Sequence, residues 1–244
     1  MNHPAYSQPG KTGQLLCAHS ALAFVVFLAI GVFGFAGWLP PVLPSRSADE
    51  IAQMFQQDGA RIRIGMALLA FGCIFWWPLA AAISAQMKRI EGYRQHPLAA
   101  VQLTSASGTV VALLMASFFW LVAAYRPDTM PATTIQMFHD YGWFCFIGMY
   151  PPIVLQVVAI GICILMDRSS KPVYPRWVGF ANFWIALGFM PGALVPFFKT
   201  GPFAWNGVLA FWLVAVLFFA WILMMWWTTV QAIQQPERAE EQLR

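Results

Sequence analysis

Six stretches of this chain carry no formal charge, and each is long enough to cross a bilayer. The 14 Lys and Arg and the 10 Asp and Glu all fall outside residues 16–39, 64–87, 101–125, 143–166, 178–198 and 203–230. A hydrocarbon core about 30 Å thick takes about 20 apolar residues of α-helix to cross. The pattern therefore predicts an all-α polytopic membrane bundle of six transmembrane helices, paired as three helical hairpins. Composition agrees: the chain is 59% hydrophobic and 10% charged, whereas soluble domains are about a quarter charged. The expected layout is a tail over 1–14, a bundle over 15–230 and a second tail over 231–244. No stretch remains for a soluble domain.

Orientation follows from the distribution of cations, which favours the cytoplasmic side. One side holds Lys11, Lys88, Arg89, Arg94, Arg168, Lys171, Arg176, Arg238 and Arg244; the other holds Arg46, Arg61, Arg63, Arg126 and Lys199. Both termini are predicted to be cytoplasmic. The polar start lacks the basic region and small-residue cleavage site of a secretory signal, so the first span is expected to be retained. A net charge of +4 and a pI near 9.0 match anionic headgroups, and no nucleic-acid partner is expected. Cys17, Cys73, Cys145 and Cys163 form no closely spaced pair, so neither metal nor cofactor is expected.

The chain also repeats itself. At an offset of 83 residues, Gln53-Met54-Phe55 aligns with Gln136-Met137-Phe138, Gly59 with Gly142, and Ile64-Gly65-Met66 with Ile147-Gly148-Met149. Spans 1 and 2 (about 16–87) and spans 3 and 4 (about 99–166) read as two parallel copies of one hairpin. The third hairpin (about 178–230) has too short an outer loop to be another copy. Ser47-Ala48-Asp49-Glu50 fits a capping box, and Pro131 suits the start of a second short helix. Both short helices are expected to lie at the membrane surface, with Gly59 and Gly142 bending the chain into the next span. Pro78, Pro151-Pro152, Pro191 and Pro196 interrupt spans 2, 4 and 5, each removing a backbone donor. Broken helices of this kind build binding sites in transporters, although packed neighbours also tolerate them.

Several mechanisms lose their chemistry here. No span holds an Asp or Glu in its core, which disfavours a proton-driven carrier. No lysine lies where a Schiff base could form, and the histidines are too scattered to hold a haem. What remains is amides and rings. Gln156 and Asn182 are deep amides in proline-broken spans, and Trp76, Trp77, Trp120 and Trp184 lie deep enough to line an apolar cavity for a hydrophobic guest. Trp38, Trp143, Trp177 and Trp205 suit the interfacial belt. Arg61, Arg63, Arg126, His139, Asp140, Lys199, Trp205 and Asn206 gather the polar groups of the outer side, as a mouth or as headgroup contacts and loop pairs such as Arg61 with Asp58.

The segments Gln86-Met87-Lys88-Arg89-Ile90-Glu91-Gly92, Tyr174-Pro175-Arg176-Trp177 and Phe198-Lys199-Thr200-Gly201-Pro202-Phe203-Ala204-Trp205-Asn206-Gly207 resemble a family of six-span bacterial integral membrane proteins without an established activity. That resemblance implies a bacterial inner membrane and no mechanism. The leading expectation is a non-enzymatic protein that binds a lipid-, sterol-, terpenoid- or quinone-like molecule between its helices and assists its movement. The alternative is a structural or accessory subunit, as a homo-oligomer or within a complex. A weaker third reading makes His139 and Asp140 the acid and base of a lipid-modifying enzyme.

Overall fold

A computed structural model describes residues 7–92 and 95–235. Arg94, Arg238 and Arg244, and the tail residues 1–6 and 236–244, lie outside the described residues. The helices are α1 (Ser7–Leu28), α2 (Ala48–Gly72), α3 (Trp76–Glu91), α4 (Pro97–Tyr125), α5 (Ala132–Trp143), α6 (Pro151–Met166), α7 (Arg176–Phe189) and α8 (Val214–Gln234). No strand occurs among the described residues. Six helical runs are long and apolar enough to span: Gly10–Phe35, Ala48–Glu91, Pro97–Tyr125, Ala132–Met166, Arg176–Phe197 and Val208–Gln234. The chain is a multi-pass membrane protein. Its outward faces carry Leu16, Ile30, Phe71, Phe118, Trp184 and Val216, side chains suited to lipid contact.

Consecutive spans pack side by side, and α8 returns to α1, so the bundle closes on itself. The lower span-2 helix α3 touches α1, α4, α6 and α8 and sits at the centre. The start of α1 and the end of α8 meet at one end of the bundle, the tail end, where Lys11 donates to the Gln234 carbonyl at 3.3 Å. There the Glu91 carboxylate accepts from the Leu98 and Ala99 amides, at 2.9 and 3.0 Å. These are among the donors a helix start leaves unpaired, so the last residue of α3 caps α4. Behind it the Tyr174 hydroxyl pairs with Thr229 at 3.0 Å, and burial pushes that phenol above its usual range.

Two sequence expectations about the far end are corrected. The short helix that begins at Ser47 does have its capping box, but it neither lies flat nor ends at Gly59. Buried Ile51, Phe55, Gly59, Ile62, Met66 and Leu69 recur at helical spacing, and one continuous apolar face carries the helix straight into span 2. The run Ala48–Glu91 is 44 residues, about 66 Å at 1.5 Å per residue, so its first turns stand clear of a 30 Å hydrocarbon core. In the second copy α5 likewise passes through Gly142. The bend falls later, at Met149 and Tyr150, just before the paired prolines that start α6.

Each interrupting proline sits beside non-α backbone. A tight 3-10 turn, Cys73–Phe75, precedes Pro78, and its Phe75 carbonyl accepts from the Ser20 hydroxyl of span 1 at 2.7 Å. Pro191 and Pro196 lie within the 3-10 segment Met190–Phe197.

Candidate functional site

Three spans lose α geometry in their far halves through π-helical segments: Ala29–Phe35, Phe144–Gly148 and Val208–Leu213. A π turn reaches one residue further back than an α turn, and such turns gather at functional sites. Between them lies an apolar cleft in two adjoining lobes. One, of about 70 Å³, is lined by Leu28, Phe33, Leu113, Phe146, Ile147, Phe211, Val214, Ala215, Phe218 and Phe219. The other, of about 60 Å³, shares Leu113, Phe146, Ile147, Val214 and Phe218 and adds Thr109, Ala112, Cys145, Met149, Tyr150, Ile153 and Phe189. Thr109 and Tyr150 supply its hydroxyls, and the Thr109 hydroxyl already donates to the Ser105 carbonyl at 3.2 Å.

The cleft wall continues toward the tail end as a stack of rings. Phe218 lies parallel to Trp76 at 5.6 Å, and Trp76 meets Trp221 at 5.7 Å. The Trp221 indole N–H donates to Asn182 Oδ1 at 2.9 Å, while Asn182 Nδ2 donates to the Val178 carbonyl at 2.8 Å. Trp76 and Asn182 are thus joined through Trp221. Gln156 is buried on α6 with its Oε1 unpartnered. The other sequence candidates lie elsewhere. Trp184 is 73% exposed and Trp77 is 38% exposed, so both turn outward, and Trp77 donates to the Ser107 hydroxyl at 3.2 Å.

Trp120 belongs to a second aromatic assembly that closes the far end. It packs edge-on against Trp38 at 4.7 Å and Trp143 at 5.3 Å, and its N–H donates to the His139 carbonyl at 3.1 Å. Trp205 lies parallel to Trp143 at 6.2 Å and donates to the Val42 carbonyl at 2.8 Å. His139 sits inside this group, 1% exposed, with Nε2 accepting from the Trp143 indole at 3.1 Å. An acceptor Nε2 places the imidazole proton on Nδ1, which has no partner. Trp38, Trp143 and Trp205 therefore form an interior plug rather than the interfacial belt expected of them. Extended loops fold back over the bundle and cover them, which span-by-span depth does not reveal.

The remaining outer residues do not converge on one mouth. Arg61 pairs with Asp58 at 3.6 Å, and Arg63 donates to the Ala124 carbonyl at 2.6 Å. The Arg126 guanidinium lies over the Tyr125 ring at 5.1 Å. Arg63 and Arg126 border an open hollow of about 530 Å³ with Gln56, Tyr125 and Asp128. Asp140 borders another, of about 390 Å³, with Thr133, Gln136 and Tyr141, and Lys199 is near enough to act on it electrostatically. Asn206 is half-buried in the loop beside Trp205. His139 faces the plug and Asp140 the hollow, so this geometry does not present them as a pair to one substrate.

No protein-family model, no curated protein and no solved structure matches this chain. Function rests on the geometry of the cleft alone. Leu113, Phe146 and Phe218 were not among the sequence candidates, because apolar residues that wall a cavity look like any others in a span. The π segments had no proline to announce them, apart from the pair that follows Phe144–Gly148.

Proposed function

We propose that this protein binds a hydrophobic or amphipathic small molecule in the cleft between spans 1, 3, 4, 5 and 6 and assists its movement within or across a bacterial inner membrane, both termini being cytoplasmic. The observation that carries this reading is the cleft itself. It is apolar, it is flanked by three segments of widened helix, and it lies in the half of the bundle whose far end is sealed by tryptophans. A sealed end and a wall of Leu, Ile and Phe favour a guest that arrives sideways from lipid, with affinity drawn from buried apolar area and a few polar contacts. The orientation rests on the excess of Lys and Arg on the tail side and the positive-inside bias.

The test is extraction into native-lipid discs followed by mass spectrometry of small molecules and polypeptides, on the wild type and on Leu113→Trp, which fills the wall shared by both lobes. A stoichiometric hydrophobic compound lost in Leu113→Trp is the expected result. Stoichiometric protein partners with no such compound would replace transport by the role of a complex subunit.

A further inference from the structure

Beneath the cleft the spans bury a set of side-chain amides at one depth. Gly108 of α4 lies opposite Pro152 of α6, where an added Cβ would meet the proline at 3.0 Å. Gln102 lies six residues and Gln156 four residues to the tail side of that contact, about 9 and 6 Å along their axes. Gly161 of α6 similarly meets the Gly179 carbonyl of α7 at 3.0 Å. Counting from there, Asn182 falls within about 3 Å of the depth of Gln156. One level of the bundle therefore carries an amide from each of spans 3, 4 and 5.

They are not equally satisfied. Asn182 is held by Val178 and Trp221, whereas Gln102 Nε2, Gln102 Oε1 and Gln156 Oε1 are buried without a partner. Both glutamines are at most 1% exposed. Unmatched buried polar atoms are rare in native proteins and call for an explanation such as a ligand. The cleft supplies the route. Ile153 in its wall precedes Gln156 by three residues, about one turn, and Phe218 precedes Trp221 by the same step.

We infer that Gln102 and Gln156 receive the uncharged hydroxyl head of an amphipathic lipid whose hydrocarbon tail passes through the cleft and on between the spans into lipid, an inference that rests on the cleft reading above. A hydroxyl is both donor and acceptor: its one proton goes to one of the two carbonyl oxygens and its lone pairs accept from the Gln102 amide nitrogen. A carboxylate or phosphate head does not fit, since the spans hold no cation to meet it and a bare charge at this depth is expensive. The ligand class is a neutral long-chain lipid alcohol, with polyprenols and diacylglycerol as members.

The test uses three probes brominated at mid-chain, octadecanol, octadecane and octadecanoate, each titrated against the wild-type protein in phosphatidylcholine discs. Bromine quenches nearby indoles, and Trp76 and Trp221, buried behind the cleft, report a saturable component above the background from lipid-facing tryptophans. The expected result is that octadecanol binds at least about fivefold tighter than octadecane, the gain of one net hydrogen bond. Octadecanoate should bind no better than octadecane. In the double variant Gln102→Met and Gln156→Met the alcohol should fall to the alkane's affinity while the alkane is unchanged. Equal saturable quenching by alcohol and alkane in the wild type would overturn the hydroxyl assignment and leave the cleft standing, as would tighter binding of octadecanoate. Absence of saturable quenching by any probe would overturn the cleft reading itself. The wild-type comparison decides even if the double variant fails to assemble.

Discussion

Gly59 and Gly142 occupy matching positions of the two repeats, yet alanine should have opposite effects at them. A Cβ on Gly142 would overlap the Trp120 indole at three atoms, Cδ1 at 2.6 Å and two closer still. Ordinary carbon contacts begin near 3.5 Å, so the ring must move by about 1 Å. Trp120 has nowhere to go, being fully buried against Trp38, Trp143 and Phe146. Overpacking of this kind costs about 1–3 kcal/mol, and loss of the bond to the His139 carbonyl adds about 1 kcal/mol. Alanine returns up to about 1 kcal/mol of helix propensity, leaving a net loss of about 1–3 kcal/mol. At Gly59 the nearest atom to an added Cβ is Arg63 Nη1 at 3.5 Å, ordinary contact, so propensity alone acts and stability should hold or rise by up to about 1 kcal/mol. Thermal unfolding in mild detergent, followed by tryptophan fluorescence, should put Gly142→Ala several degrees below the wild type and Gly59→Ala level with it or above. In the Trp120→Phe background, Gly142→Ala should cost less, a coupling that a double-mutant cycle reads directly. Equal midpoints for the two alanine variants would refute the packing described for the far end.

Arg61 and Arg63 of α2 should separate as sharply. Arg61→Ala removes only an exposed pair with Asp58 and should shift stability by under about 0.5 kcal/mol, whereas Arg63→Ala uncovers the Ala124 carbonyl at the end of α4 and should cost about 1–2 kcal/mol in the same unfolding assay. Trp221→Phe should destabilise by about 1–3 kcal/mol by leaving Asn182 Oδ1 unpartnered, and adding Asn182→Leu should recover part of that loss; a cost unchanged by the second substitution would refute the pairing. Glu91→Gln, which keeps the side chain's size but weakens two caps on α4, should cost about 1 kcal/mol, and amide exchange at Leu98 and Ala99 should quicken if the carboxylate protects them.

The bundle was legible because absence of charge over some 20 residues has only one good physical cause, and the repeat because identical residues recur in frame. The capping box at Ser47 and the Arg61–Asp58 pair were legible for the same reason, being local. What escaped was anything set by contact between distant segments. Trp205 and Trp38 looked interfacial by their place in the spans, but the 199–206 and 38–46 loops carry them inward. Nothing in the sequence links Gln102 to Gln156; the Gly108–Pro152 contact is what puts them at one depth. Gly59 and Gly142 looked like hinges, since a glycine's side of a helix says nothing about whether the neighbouring face continues.

The two copies read from the sequence do not match at the cleft. The residues of copy 1 equivalent to Phe146 and Ile147 are Arg63 and Ile64, and Arg63 is engaged in holding the end of span 3. Over residues 61–69 copy 1 keeps continuous α-helix where copy 2 has a widened turn and paired prolines. On the cleft reading proposed above, the chain is symmetric in frame but offers one site: a titration should saturate at one guest per chain, and two chains would be needed to hold two.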